Sequence, residues 1–183
     1  ISFLNLTLNT VPKDIPYLKI EDNLVRKWSN NLKIKKEKLN IGISCSGNNL
    51  YRENRIRSLN LHYFEPLLKI SNLFLIQKEI DASDKEFLLS HSEIKFIGSQ
   101  INSFSDTAAI VQNMDLIISI DTSLVHLAGS LGKKTYILLN WPHDHRWQIN
   151  QDKSYWYPSV KILRKEYNQP WDFLIKNLIA DCV

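Results

Sequence analysis

From residue 40 onward, short apolar runs alternate with amphipathic stretches, and this alternation constrains the fold more than any other feature of the chain. The run Leu116–Ile120 reads LIISI and lacks the regular polar alternation of a half-exposed strand. Such runs are typical of strands that are buried on both faces, as in parallel sheets. Strands that alternate with helices in turn predict a doubly wound α/β fold. We therefore predict a parallel sheet of about six strands with helices on both faces.

The boundaries follow from apolar runs and capping signals. Asp22 could cap a helix over residues 23–33, and Asp106 is expected to cap a later helix. The helix that begins at 121–123 is expected to close at Gly132, which would form its C-terminal cap. The predicted strands are 41–45, 73–76, 94–97, 116–120, 135–139 and 160–163, and the predicted closing helix is 171–179.

Charge and composition exclude several classes of protein. The net charge is +4, but residues 1–40 hold eight Lys and Arg against four Asp and Glu, and the rest of the chain holds fifteen of each. A neutral main body argues against an extended phosphate-tracking surface, so no nucleic-acid partner is expected. No apolar run approaches the roughly 18 residues that span a bilayer. Because Cys45 and Cys182 form no disulfide framework, we expect a cytoplasmic protein.

We predict that residues 1–39 form an irregular, partly helical lead-in, since Pro12 and Pro16 would break an early helix. The length suits one domain, because roughly 100–200 residues per domain is usual. We assign this domain to residues 40–183. The chain begins with Ile1, so we expect it to be part of a longer protein.

The strongest candidate site is the segment 121–129, DTSLVHLAG. In doubly wound sheets, ligands bind outside the carboxyl ends of the strands, near a switch in strand order. A helix start there offers unpaired N–H groups to an anion, and Thr122 and Ser123 could add hydroxyls. His126 follows Thr122 by four residues and lies on the same side of the helix. The alternative is an ordinary helix cap with His126 packed in the interior.

A second candidate is the loop 47–58, which contains Arg52, Arg55 and Arg57. Arginine forks suit phosphate oxygens, although a solvated basic loop would have the same composition. The chain has neither GxxxxGKS/T nor GxGxxG, so a P-loop ATPase is not supported. The stretch 143–145, His-Asp-His, suggests a metal, but neighbouring positions rarely converge on one ion and further ligands are lacking. We predict no metal site.

Several segments resemble, in the same order, those of bacterial glycosyltransferases related to the heptosyltransferases, in particular versions fused behind tetratricopeptide repeats. The resemblance covers roughly residues 1–165 and is most specific over 104–139. The segments are IGISCSGN, ENRIRSL, LIQK, FSDTAAIVQNMDLIISIDTSLVHLAGSLGKKTYILL, DHRW and YWYPSVKIL.

The resemblance implies one half of a GT-B fold, in which two Rossmann-like domains face each other across a cleft. It implies that residues 40–183 form the donor-binding domain and that 1–39 lead to an N-terminal domain that supplies the acceptor site and the catalytic base. The implied reaction is metal-independent hexosyl or heptosyl transfer from a nucleotide-diphosphate sugar, with no cofactor. The implied partners are that domain and upstream tetratricopeptide repeats, and this chain alone is expected to be inactive.

The resemblance also implies roles for individual residues. The donor-binding motif of the family places the helix start at the diphosphate and an aspartate at the sugar. The implied residues are Asp121, Thr122, Ser123 and His126 in this motif; Ser46, Gly47 and Asn48 near the phosphates; Arg52 or Arg55 as the cation at the leaving group; Gln77 and Lys78 near the ribose; and Phe104 beside the base. Arg55 and His126 are the predicted catalytic residues, which would stabilise the leaving group.

The sequence departs from the family pattern at two positions, and two alternative functions remain. Ser123 stands where heptosyltransferases usually have Gly, and Cys45 stands where many relatives have Trp. A degenerate, non-catalytic interaction domain beside helical repeats is the main alternative. A flavodoxin-like domain is a further one, against which the lack of a Ser/Thr-rich phosphate loop counts.

Overall fold

The computed structural model describes residues 7, 10–11, 14–34, 37–48, 50–52 and 54–182. The strands among these residues pair in parallel and form one sheet. Among these residues six strands pair in the order β3-β2-β1-β4-β5-β6, which confirms the predicted fold class. The strands are β1 Leu39–Ser44, β2 Ser71–Leu75, β3 Lys95–Phe96, β4 Leu116–Ile120, β5 Thr135–Leu139 and β6 Val160–Arg164.

Helices cover both faces of this sheet. Ile117 and Ile118 follow each other in β4, pack into different apolar clusters and are both fully buried, as the LIISI pattern predicts. One face is covered by α1, α4 and α5, and the other by α3, α6 and a 3₁₀ helix. The helices are α1 Asp22–Leu32, α2 Asn54–Arg57, α3 Ala82–Ser90, α4 Phe104–Gln112, α5 Ser123–Ser130 and α6 Trp171–Cys182. The 3₁₀ helix on the second face is Leu61–Lys69, and two shorter 3₁₀ helices are Gly98–Gln100 and His145–Trp147.

Two of the predicted helix caps are wrong in detail. The N-cap of α1 is Glu21, and Asp22 is the first helical residue. The N-cap of α4 is Ser103, whose side chain accepts the Asp106 N–H, while the Asp106 carboxylate accepts the Ser103 N–H. This reciprocal pair of hydrogen bonds is a capping box, in which the serine side chain caps the helix and the acidic side chain accepts the N–H of the serine. Gly132 has a φ of 70°, and its N–H donates to the Gly129 carbonyl, as expected of a residue that closes a helix.

The described part of the lead-in belongs to the core of the domain. Helix α1 packs on α4, with Trp28 and Leu32 buried between them. The Trp28 indole Nε1 donates to Asp106 at 3.0 Å, and this hydrogen bond is the largest of the causes that lower the pKa of Asp106. An N-terminal domain beyond it stays a prediction. Among the described residues, no helix is both long enough and apolar enough to cross a membrane.

Candidate functional site

Two cavities open beside each other at the carboxyl ends of the strands, where the strand order switches between β1 and β4. Cavity A has a volume of about 550 Å³ and lies beyond β1 and β2. Cavity B has a volume of about 530 Å³ and lies beyond β4 and β5. Arg57, Thr122 and Ser123 line both cavities and form the wall between them. A ligand that crosses this wall would contact both compartments.

The loop after β1 shapes the floor of cavity A, and Gln77 holds it. The Gln77 Oε1 accepts the Cys45 and Ser46 N–H groups at 2.8 and 3.0 Å, and its Nε2 donates to the Ser46 hydroxyl and the Glu79 carbonyl. Both ends of this buried amide are therefore occupied by the loop. Gln77 lines cavity A as expected, but its contacts indicate that it positions the Ser46 loop.

Arg57 is the arginine of the loop 47–58 that reaches the site. Its guanidinium donates to the Asp121 backbone carbonyl at 2.5 Å and lies over the Tyr51 ring, 4.7 Å from the ring centre. The Asn54 Oδ1 accepts the Gly47 N–H at 2.9 Å and the Arg57 Nε at 3.4 Å. A Cβ on Gly47 would stand 2.3 Å from an Arg57 Nη atom, so the glycine makes room for the guanidinium.

Helix α5 begins at the wall without a side-chain cap. Thr122 is its N-cap in an extended conformation, but its hydroxyl contacts the Ser119 hydroxyl at 3.2 Å and caps no helical N–H. The first N–H groups of α5 therefore face the wall between the cavities with no capping side chain. The positive end of the helix dipole adds to the charge of Arg57 at this point.

His126 lies one turn into α5, in contact with four side chains. Its Nδ1 is 3.2 Å from the Tyr157 hydroxyl, and its Nε2 is 3.1 Å from an Arg146 Nη atom. Trp147 stacks on the imidazole with ring centres 5.4 Å apart. The Asp121 Oδ1 is 3.9 Å from Nε2, which is too long for a hydrogen bond.

The charges around His126 are paired with one another. Burial lowers the pKa of His126, and Arg146 lowers it further, against opposing effects of Asp121 and Asp144. The hydrogen bond from Arg146, at 2.9 Å, lowers the pKa of Asp144 to about 2. Burial and a hydrogen bond with Tyr17 raise the pKa of Tyr157 to about 12. At neutral pH the imidazole and the phenol are therefore uncharged, and Asp144 is ionised.

The structure brings together most of the side chains that the sequence suggested. Arg52 and Arg55 are the exceptions, since both are exposed and line neither cavity. Phe104 is 66% exposed at the mouth of cavity A. The predicted residues that line cavity A are Ser46, Gly47, Asn48, Gln77, Lys78 and Phe104; those that line cavity B are Asp121 and His126; and Thr122 and Ser123 line both.

Two arginines that line cavity B were not singled out in the sequence. Arg57 was one of three arginines in a loop, and Arg146 belonged to a segment used only for the resemblance. The spacing in α2 shows only that Arg55 and Arg57 cannot both face the site, because residues two apart in a helix point to different sides. Arg146 lies in a 3₁₀ helix of one turn, His145–Trp147, which is too short for a periodic pattern to predict the direction of its side chain.

The His-Asp-His stretch does not form a cluster. His145 is 97% exposed at its side chain, and His143 Nε2 accepts from Arg164 at 3.3 Å. Among the described residues, no group of three His, Cys, Asp or Glu side chains could hold a metal ion.

Solved structures provide the comparison for this architecture, because no protein-family model and no curated protein matches the sequence. E. coli ADP-heptose LPS heptosyltransferase II superposes with a TM-score of 0.65 at 13% identity, over 94% of this chain and 57% of that one. A glycosyl transferase family 9 structure from Veillonella parvula gives 0.58 at 11% identity, over 89% and 51%. The fold is shared with these glycosyltransferases. The chain spans little more than half of their length.

Proposed function

We propose that the chain is the donor-binding domain of a glycosyltransferase that uses a nucleotide-diphosphate sugar. One observation carries this proposal: two cavities share a wall made of Arg57 and the uncapped start of α5. A diphosphate at the wall would meet a guanidinium, backbone N–H groups and the Ser123 hydroxyl. The nucleoside would then lie on one side and the sugar on the other.

The lining of the cavities suggests the orientation of this ligand. Cavity A contains the apolar side chains of Ile101 and Leu124, with Phe104 at its mouth, and these suit a base. Cavity B contains Asp121 and Asn140, whose oxygens can accept hydrogen bonds from sugar hydroxyls. The base is therefore assigned to cavity A and the sugar to cavity B. Lys78 also lines cavity A, in keeping with a place near the ribose.

The reaction would be displacement at the anomeric carbon, with the nucleoside diphosphate as leaving group. Positive charge from Arg57 and the helix start would stabilise the departing diphosphate without a metal ion or cofactor. An N-terminal domain, with tetratricopeptide repeats further upstream, would supply the acceptor and the catalytic base. This chain alone would bind the donor weakly and transfer nothing.

Calorimetry with UDP, ADP and GDP at millimolar concentration tests the proposal. We expect heat of binding with one of the three, a thermal shift to match, and no hydrolysis of the corresponding sugar nucleotide. Arg57→Gln should weaken binding, whereas Arg26→Gln, an equal charge change on the exposed side of α1, should not. If none of the three nucleotides binds, the proposal is lost and the non-catalytic interaction domain becomes the better account.

A further inference from the structure

His126 cannot supply charge or an N–H group to cavity B in the observed arrangement. A guanidinium donates hydrogen bonds and accepts none, so the contact with Arg146 requires a lone pair on Nε2. The ring proton must then be on Nδ1, where it points to the Tyr157 hydroxyl. The imidazole is neutral in this tautomer, and both of its nitrogens are occupied by other side chains.

Arg146, in contrast, keeps donors for a ligand. The guanidinium has five N–H groups, and its described contacts use one for His126 and one for Asp144. Its side chain is 42% exposed and lines cavity B together with Arg57 and the start of α5. A phosphate that leaves the wall on the side of cavity B would thus lie between two arginines from different loops.

Packing around His126 fixes the position of Arg146. A Cβ on Gly129 would stand 2.4 Å from the Tyr157 ring, so the glycine lets this ring approach α5 closely enough to reach His126. Trp147 is buried and stacks on the imidazole, which limits rotation of the ring. The Tyr157–His126 pair therefore provides Arg146 with a fixed acceptor, in addition to its bond with Asp144.

We propose that Arg146 binds the distal phosphate of the nucleoside diphosphate and that Tyr157 is the positioning residue that holds it there through His126. This inference rests on the proposed function, because it needs a nucleoside diphosphate at the wall. It assigns to Arg146 the leaving-group stabilisation that the sequence suggested for His126. Tyr157 contacts no ligand and acts only through the imidazole.

Calorimetry with matched mono- and diphosphates tests the assignment of Arg146, using the nucleoside that wild-type protein binds best. Arg146→Gln should weaken binding of the diphosphate by about tenfold, because a charge-assisted hydrogen bond to the ligand is lost. The loss is no larger because Asp144 already offsets part of the arginine charge. The monophosphate should bind as before, because it lacks the distal phosphate. Arg146→Lys keeps the charge without the fork and should fall between wild type and Arg146→Gln. Arg26→Gln is the control for the change in net charge.

The binding results distinguish a wrong assignment of Arg146 from a failure of the proposed function. Unchanged diphosphate binding in Arg146→Gln overturns the assignment, and so does an equal loss for mono- and diphosphate. A loss confined to the sugar nucleotide would place Arg146 at the sugar and also overturn it. If wild-type protein binds no nucleotide, the proposed function fails and this inference fails with it.

The proposed role of Tyr157 needs a measurement that a change in packing alone would not alter. Imidazole chemical shifts from ¹³C,¹⁵N-labelled histidine should show the Nδ1–H tautomer of His126 in the wild type. Tyr157→Phe keeps the ring beside Gly129 but removes the acceptor of the Nδ1–H, so the Nδ1–H tautomer should become less populated, and the diphosphate but not the monophosphate should bind more weakly. A wild-type His126 that is protonated on Nε2 at neutral pH would overturn the positioning role.

Discussion

Gly47 sets the position of Arg57, and its replacement by alanine would test the wall between the cavities without touching a charge. The added Cβ would stand 2.3 Å from an Arg57 Nη atom and 2.7 Å from the Asn54 Oδ1. Ordinary contact begins at 3.4 Å, so the guanidinium must retreat by about 1 Å. The Arg57–Asp121 hydrogen bond, now 2.5 Å, would then exceed the usual range.

The expected loss of affinity follows from the hydrogen bond that the displaced guanidinium would make less well with a phosphate. A hydrogen bond to a charged group contributes about 1.5–3 kcal/mol, and a guanidinium that has moved but not vanished should lose part of it. We expect nucleoside diphosphate to bind about 5- to 30-fold more weakly to Gly47→Ala. The free energy of unfolding should fall by about 1–2 kcal/mol, because the Arg57–Asp121 bond is stretched and alanine offsets only part of that loss by restricting the unfolded chain.

A double-mutant cycle assigns this loss to Arg57. Affinities would be measured by calorimetry for wild type, Gly47→Ala, Arg57→Gln and the double variant. If the glycine acts by making room for the guanidinium, the double variant should bind no more weakly than Arg57→Gln alone. Wild-type affinity in Gly47→Ala, or losses that add in the double variant, would refute the reasoning.

Two predictions concern stability and are checked by urea unfolding. Burial raises the pKa of Asp84, so the stability that this carboxyl contributes should be fully present below its ordinary value of 3.8 and be lost as the pH rises through the folded-state pKa. Asp84→Asn should abolish this decline, whereas Asp84→Ala should cost about 1–3 kcal/mol because the buried Leu61 N–H loses its acceptor. Ser103→Ala removes the cap of α4 and should cost about 1 kcal/mol, a fall of about 2–4 °C in Tm, whereas the exposed Ser105→Ala should cost far less.

The sheet could be predicted because burial on both faces leaves a direct trace in the sequence. Each strand except β3 coincides closely with an apolar run, and β3 is only two residues long. The helix caps were harder to predict than the strands, because Ser103 and Asp106 are both good capping residues. Only backbone geometry decides which one precedes the helix. Residues 61–69 form a 3₁₀ helix with Pro66 in its interior, and this helix is not among the predicted elements.

The site could be predicted as an edge of the sheet but not as a set of side chains. Fold topology places ligands at the carboxyl ends beside a strand switch, and both cavities lie there. Which arginine faces them depends on one turn of helix in α2 and on one turn of 3₁₀ helix after β5. Arg146 meets His126 across twenty residues of sequence, and a tertiary contact of this kind has no local signal.

The two arginines of cavity B are held by acceptors that lie within or beside the α5 segment. Arg57 donates to the backbone carbonyl of Asp121, and Arg146 donates to the neutral ring of His126. Because both guanidinium groups are fixed before a ligand arrives, binding loses less side-chain freedom than it would with unrestrained arginines. Lysine at either position would keep the charge but not the planar fork that makes these contacts. The segment that begins at Asp121 thus offers its own N–H groups to an anion and also orients the two side chains that would complete the anion site.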